Sequence, residues 1–474
     1  MKAKRFTTNC PALHAFLFCV MLTILILKPF GTAAQASGNA LTLSKALETA
    51  AANYGEIHAK DLYKKAQEEN IKQVKRQYLP AVIAYGQMDY ATANSVPGSY
   101  FSFGFSTSGS ISSTNNYTPV YGAVGMGAIQ WTPFSFGQYN ARVKESDLQF
   151  QLAGADAEQE LFYNKIYVTQ AYLDVLVAIK LKDLQNKNLG RVLVVHDVIA
   201  QNAKNGLRPG VDTSFANSEV ARARLNVYDA EKNEAEQRNR LASLMGVENS
   251  DFQPDTSTFF VSVPPVSLAP VTDVSANPIL KIYAAREGLS EIREKEIFRS
   301  YFPKISVLGV TDGRGSGVSY NGHYDESFSG GTGLNRFNYA VGLVCTFNIL
   351  DYPRMKAEQV AQKFRSDAAK TELQAQTLGL KNDLTLANNK LRISFEQLKQ
   401  APIQYLSASD FYKQKLAMYT SGLANIVDLS QALYNLSRAE ADNAIARDAV
   451  WKAFLAKASV SGDFNLFMNS INIK

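Results

Sequence analysis

A chain of 474 residues with 46% hydrophobic and 19% charged residues is long enough for two or three globular domains. Its four histidines are scattered without metal-ligand spacing, and no Ser/His/Asp or Cys/His arrangement or phosphate loop emerges, so the sequence points to no enzyme, no cofactor and no metal. The formal charge of +6 falls to +2 once the four basic residues of the first 36 are set aside, which leaves no reason to expect a nucleic-acid partner.

Residues 1–36 read as a signal peptide. Lys2, Lys4 and Arg5 precede an apolar run from about Ala12 to Leu27, and Ala34-Gln35-Ala36 offers small residues for cleavage before Ser37. Leu17-Phe18 ahead of Cys19 is too bulky for a lipoprotein site. Cys10 and Cys19 leave with the signal, so Cys345 stands alone and no internal disulfide is expected. No later segment approaches the unbroken apolar length of a transmembrane helix.

A first structural repeat is expected over 37–246. It opens with a helical stretch, Thr42–Gln77, for which Thr42 is the N-cap. Strands follow at about 80–92 and 119–132, with Val82, Ala84, Met88 and Tyr90 opposing Gln87 and Asp89 at a period of two. The loop between them, 93–118, is long and rich in Gly, Ser, Asn and Tyr. Long helices are expected at 137–205 and 211–245, the first carrying Val168, Tyr172, Val175 and Ile179 at the 4-3-4 spacing of a coiled-coil seam. At about 1.5 Å per residue such a helix is roughly 100 Å long. A Pro-rich linker occupies 247–278. The second repeat, 279–474, is read as strands at about 303–312 and 336–350, an outer loop at 313–334, and long helices at 354–421 and 427–460, with Pro402 as a kink. Tyr339, Val341, Leu343, Cys345, Phe347 and Ile349 alternate with smaller or polar residues.

The two repeats align at an offset of 216. Trp131 meets Phe347, Gly206 meets Gly422, Asp212 meets Asp428, Arg222 meets Arg438 and Gly246 meets Gly462. Upstream the offset is 223, pairing Arg76 with Arg299, Tyr78 with Tyr301 and Pro80 with Pro303. Long polar loops joining alternating strands are what outer-membrane barrels show. Four strands cannot close a barrel, and open edges are prohibitive in hydrocarbon. Strands in a membrane would therefore have to be pooled from several copies, and three copies would supply twelve.

The residues Leu41-Thr42-Leu43-Ser44-Lys45-Ala46-Leu47, Tyr78-Leu79-Pro80, Trp131-Thr132-Pro133-Phe134-Ser135-Phe136-Gly137 and Tyr419-Thr420-Ser421-Gly422-Leu423-Ala424-Asn425-Ile426-Val427-Asp428-Leu429 resemble, in that order, the TolC-type outer-membrane efflux proteins. The resemblance covers essentially the mature chain. It implies a mixed α and β membrane protein of duplicated strand-helix-helix-strand halves. Four strands per chain would complete a twelve-stranded barrel in a homotrimer within outer-membrane lipid, above a long periplasmic α-helical coiled-coil barrel. The implied function is an exit duct for a tripartite efflux or type I secretion system, with a periplasmic membrane-fusion adaptor and an inner-membrane pump of RND, ABC or MFS type as partners. Drugs, metals and proteins remain open as cargo.

By the same resemblance, Gly206 and Leu207, with Gly422 and Leu423, form adaptor-docking tips. An apolar residue after a helix-ending glycine also commonly packs back onto its own helix. Asp428, Asp212, Tyr419 and Gln431 fall at the periplasmic gate. Asp428 matches a carboxylate ring at the narrowest point, while an aspartate in a first helical turn is equally stabilised by the helix dipole. Tyr419 matches a tyrosine bonded to the Asp212 position. Ala424 and Gln431 depart from the pattern, standing where an arginine and a second acid are usual. The rival reading is a soluble periplasmic coiled-coil structural or adaptor protein with no barrel, which would not need four alternating strands.

Overall fold

The computed structural model describes residues 40–94, 114–206, 209–248, 250–256, 259, 263–264 and 273–471. The signal peptide, Leu207, parts of the linker (249, 257–258, 260–262 and 265–272) and the middle of the first outer loop lie outside the described residues.

Helix α1 (Leu43–Asn53) starts where the Thr42 hydroxyl accepts the Lys45 amide at 3.3 Å. The expected single helix over 42–77 is two. It breaks at Tyr54, whose backbone is extended, and resumes as α2 (Gly55–Arg76). The break sits against Gly246, where an added Cβ would lie 2.6 Å from the Asn53 carbonyl oxygen.

Strands β1 (Ala81–Ala91) and β2 (Val120–Phe134) follow, and then α3 (Gln138–Lys204) and α4 (Gly210–Met245). The second half repeats the order with α5 (Pro278–Ser300), β3 (Lys304–Ser316), a single helical turn α6 (Phe328–Thr332), β4 (Arg336–Thr346), α7 (Tyr352–Thr420) and α8 (Ile426–Ser461). A short α9 (Asn465–Ile471) packs beneath.

Some boundaries differ from the sequence reading. β2 runs to Phe134, with an irregularity between Trp131 and Phe134 that accommodates Pro133, which has no amide for the ladder. β3 continues to Ser316, because Gly313 and Arg314 stay in register with Phe337 and Arg336. The outer loop is correspondingly shorter and holds α6, capped by the Ser327 hydroxyl. β4 ends at Thr346, short of 350, since Ile349–Asp351 form a 3-10 turn into α7 and Pro353 occupies its first turn. α7 continues as one helix through Pro402, which has no amide to donate to the Leu398 carbonyl.

The sheet is an antiparallel meander, β1-β2-β3-β4, so β1 and β4 are both edges. At 67 and 69 residues, α3 and α7 are each roughly 100 Å long. α3 packs on α2 and α4 of its own repeat and on α5 and α8 of the other, while α7 packs chiefly on α5 and α8.

The principal core lies midway along the rods. Val168, Tyr172 and Val175 of the predicted seam are buried there against Leu241, Trp451, Phe454 and Phe467, with Ile179 at the margin. The Tyr172 hydroxyl donates to the Leu41 carbonyl at 2.8 Å, which ties the start of the chain to the rods.

Candidate functional site: the strand wall and the helix tips

Register fixes which side chains share a face of the sheet. Val82 and Met88 of β1 lie across from Ile129 and Ala123 of β2, and Ile129 pairs through Gly309 to Val341. This face continues through Val307, Leu343 and Tyr339 and carries no charged residue among the described strands. The opposite face holds Gln87, Asp89, Gln130, Lys304, Asp312, Arg314, Arg336 and Asn338. Its polar groups bond one another. Asp312 accepts from Arg314 Nε at 3.1 Å and from Asn338 Nδ2 at 2.9 Å, and Gln87 donates to Asp89 at 2.6 Å. The apolar face is uncovered: Tyr339 is 87% exposed and Val341 is 79% exposed.

Aromatic rings mark both ends of that face. Tyr90 packs against its registered partner Tyr121, ring centroids 4.6 Å apart and tilted by 39°. At the helical end, Tyr78 meets Trp131 edge-on at 5.9 Å, and Tyr301 meets Phe347 edge-on at 5.2 Å. These two contacts join the very residues that align the two repeats, so the duplication is conserved in space as well as in sequence.

The far ends of the rods are built by glycine. Gly206 and Gly422 adopt φ of +72° and +77°, a region that costs other residues about 1–2 kcal/mol. After α7 the Gly422 amide bonds the Tyr419 carbonyl at 3.1 Å and the Leu423 amide bonds the Met418 carbonyl at 2.8 Å, the two bonds of a Schellman turn. Leu423, the residue after the turn, is 75% exposed.

Near this tip lie the residues expected at the gate. Tyr419 is buried in a cluster with Ile199, Ala216, Ala424 and Leu429, which draws on both helix pairs of the chain. Asp212 lies half-buried in the first turn of α4, four residues before Ala216 and so on the same face of that helix. Asp428 occupies the first turn of α8, where the Asn425 side chain caps its amide at 2.8 Å and Lys415 approaches its carboxylate at 3.5 Å. Gln431 is exposed and bonds Asn435 along its own helix at 2.9 Å. Sequence reasoning missed Lys415 and Asn425. Asn425 was legible as an N-cap residue ahead of an apolar run.

It also missed two charged links between the repeats. Arg191 of α3 forks onto Glu440 of α8, at 2.9 and 2.5 Å. Lys452 of α8 lies 2.5 Å from Asp174 of α3 and 2.6 Å from Asp448, with Arg240 of α4 3.6 Å from Asp174. Burial first, and then Asp174, push the Asp448 carboxyl up to about 6 despite Lys452. Lys452 is held above its usual range by the two carboxylates.

Residues 46–247, the first repeat almost end to end, match the family model described as outer membrane efflux protein. The first repeat is thus similar to that family. The fold agrees with it over the rest of the length. The outer-membrane channel OprN superposes with a TM-score of 0.71 at 17% identity, covering 89% of each chain. The outer membrane protein VceC of Vibrio cholerae gives 0.71 at 12% identity, over 89% of this chain and 96% of that one. The open-state MtrE outer membrane channel of Neisseria gonorrhoeae gives 0.68 at 14% identity, over 89% of each chain. No curated protein matches by sequence. The family model is that of outer membrane efflux proteins, and the structures that superpose are described as outer-membrane channels and an outer membrane protein.

Proposed function

We propose that this chain is an outer membrane efflux protein, three copies of which close one twelve-stranded barrel and form the exit duct of a tripartite efflux or type I secretion system, handed cargo by an inner-membrane pump through a periplasmic adaptor. The observation that carries this reading is the four-stranded sheet, with every charged side chain on one face and both edges unpaired. The apolar face suits lipid, and the charged face suits a water-filled lumen. From Tyr121 to Trp131 the strand makes ten residue steps, which at ~3.3 Å each and tilted ~40° project to about 25 Å, the height of an outer-membrane apolar band.

A soluble coiled-coil protein has no use for an uncovered apolar sheet face. At the other end, the exposed Leu423 beyond the Gly422 turn is an apolar knob suited to an adaptor. Gly206 and Leu207 supply the equivalent tip from the first repeat. Asp428, Asp212, Tyr419 and Gln431 line the gate in this reading, with a Tyr419–Asp212 bond helping to hold it shut.

The test is conductance in planar bilayers. The purified protein produces discrete ion-conducting steps, and Tyr419→Phe enlarges them. A protein that inserts no channel contradicts the duct, and unchanged conductance in the variant removes Tyr419 from the gate.

A further inference from the structure

The chain contains its own template for the contact between copies. Inside one chain the repeats meet where α3 packs on α5 and α8. The charged centre of that seam is Lys452, held between Asp174 and Asp448. The repeat offset carries Asp174 to Lys390 on α7, Lys452 to Glu236 on α4 and Asp448 to Lys232 on α4. All three charges are inverted. Lys232 and Glu236 stand one turn apart and pair at 3.9 Å, just as Asp448 and Lys452 do on α8.

The flanks carrying the inverted set are the ones left open. Glu236, Lys232 and Lys390 are all exposed. α7 exposes Phe364, Leu378, Leu386 and Ile393, and α4 exposes Leu225 and Tyr228. α2 buries no residue, whereas its counterpart α5 buries Ile282 and Leu289. α2 leads directly into the edge strand β1 and α7 follows directly on the edge strand β4, just as α5 leads into β3 and α3 follows β2 at the paired strands between the repeats. An α7 flank therefore meets the α2 and α4 flank of the next copy, as α3 meets α5 and α8 within one.

We propose that Glu236 of each copy forms an ion pair with the partner's Lys390, flanked by Lys232, so that the seam between copies is a charge-inverted duplicate of the seam between repeats. The inversion also sorts the helices. A seam that exchanged α3 for α7 would set Asp174 against Glu236, or Lys390 against Lys452, and like charges at such positions repel. This inference rests on the trimeric reading above.

The test uses the full-length protein with Cys345→Ser, into which Glu236→Cys and Lys390→Cys are introduced singly and together and treated with a short bismaleimide. A direct disulfide needs Cβ atoms about 4 Å apart, less than a lysine and an acid normally span. The double variant is expected to give covalent dimers and trimers on denaturing gels, and neither single variant does so. Asp174→Cys with Lys452→Cys reacts within one chain and stays monomeric. In a second measurement, Lys390→Glu lowers the temperature at which the trimer falls apart in detergent, and adding Glu236→Lys restores it. Trimers intact by native mass but neither cross-linked nor rescued overturn this pairing and leave the trimer standing. A monomeric native mass overturns the trimer, and the pairing with it.

Discussion

Asp448 offers the sharpest link between structure and a pH profile. Its carboxyl is almost fully buried, shares Lys452 with Asp174, and is pushed from an ordinary value of 3.8 up to about 6. In the unfolded chain it titrates near the ordinary value. The displacement is roughly two pH units, or about 3 kcal/mol per copy. The sign follows from which state binds the proton more tightly. The folded state does, so the contribution is fully present below about pH 4 and is lost as the pH rises through about 6. Protonation at the lower pH leaves Lys452 bonded to Asp174 and removes the repulsion between the two acids. Asp448→Asn cannot ionise and should abolish this pH dependence while keeping the packing. The assay is amide hydrogen exchange along α8 between pH 4 and 7, corrected for intrinsic rates and compared between the two proteins. The wild type should open more readily by up to two orders of magnitude as the pH rises across that range, relative to the variant. Parallel profiles would refute the assignment of a buried, proton-hungry Asp448.

Three further outcomes follow from single positions. Gly206 and Gly462 share a positive φ, but a Cβ at Gly206 meets open space and one at Gly462 meets the Asn277 backbone. Gly206→Ala should cost about 1–2 kcal/mol in thermal stability, and Gly462→Ala more, since it also displaces Asn277 from the Ser459 and Val460 carbonyls; equal melting temperatures would contradict this. Cys345 lies on the apolar face of β4, so a solvatochromic thiol probe attached there should report apolar surroundings and be quenched by brominated lipid; quenching by iodide in the aqueous phase instead would place that face in water. Leu423→Glu should abolish cross-linking to the adaptor while trimers persist, and cross-linking at the wild-type level would free the tip from that role.

The fold was legible in this sequence because its two periodicities are long and uninterrupted. The seam residues Val168, Tyr172 and Val175 are buried as their spacing requires, and the alternation of Tyr339, Val341 and Leu343 against Asn338 defines the two faces of β4. Boundaries were less legible where a single residue decides them. The break at Tyr54 depends on Gly246, almost two hundred residues away, and β3 extends to Ser316 because Arg336 offers it a partner. Candidate site residues were legible where local chemistry suffices, as in the glycine turn at Gly422. They were not legible where the partner comes from the other repeat: neither Asp174 nor Lys452 carries any local mark of the bond between them. At the tip the sequence shows the Gly422 turn but not how far Leu423 stands exposed beyond it.

Counting strands in the assembled particle tests the central claim most directly. Electron cryomicroscopy of the protein extracted from outer membranes should show one closed barrel of twelve strands built from three copies, with β4 of each paired to β1 of the next. A particle of one copy, with its sheet edges open to solvent or covered by its own loops, would contradict the account.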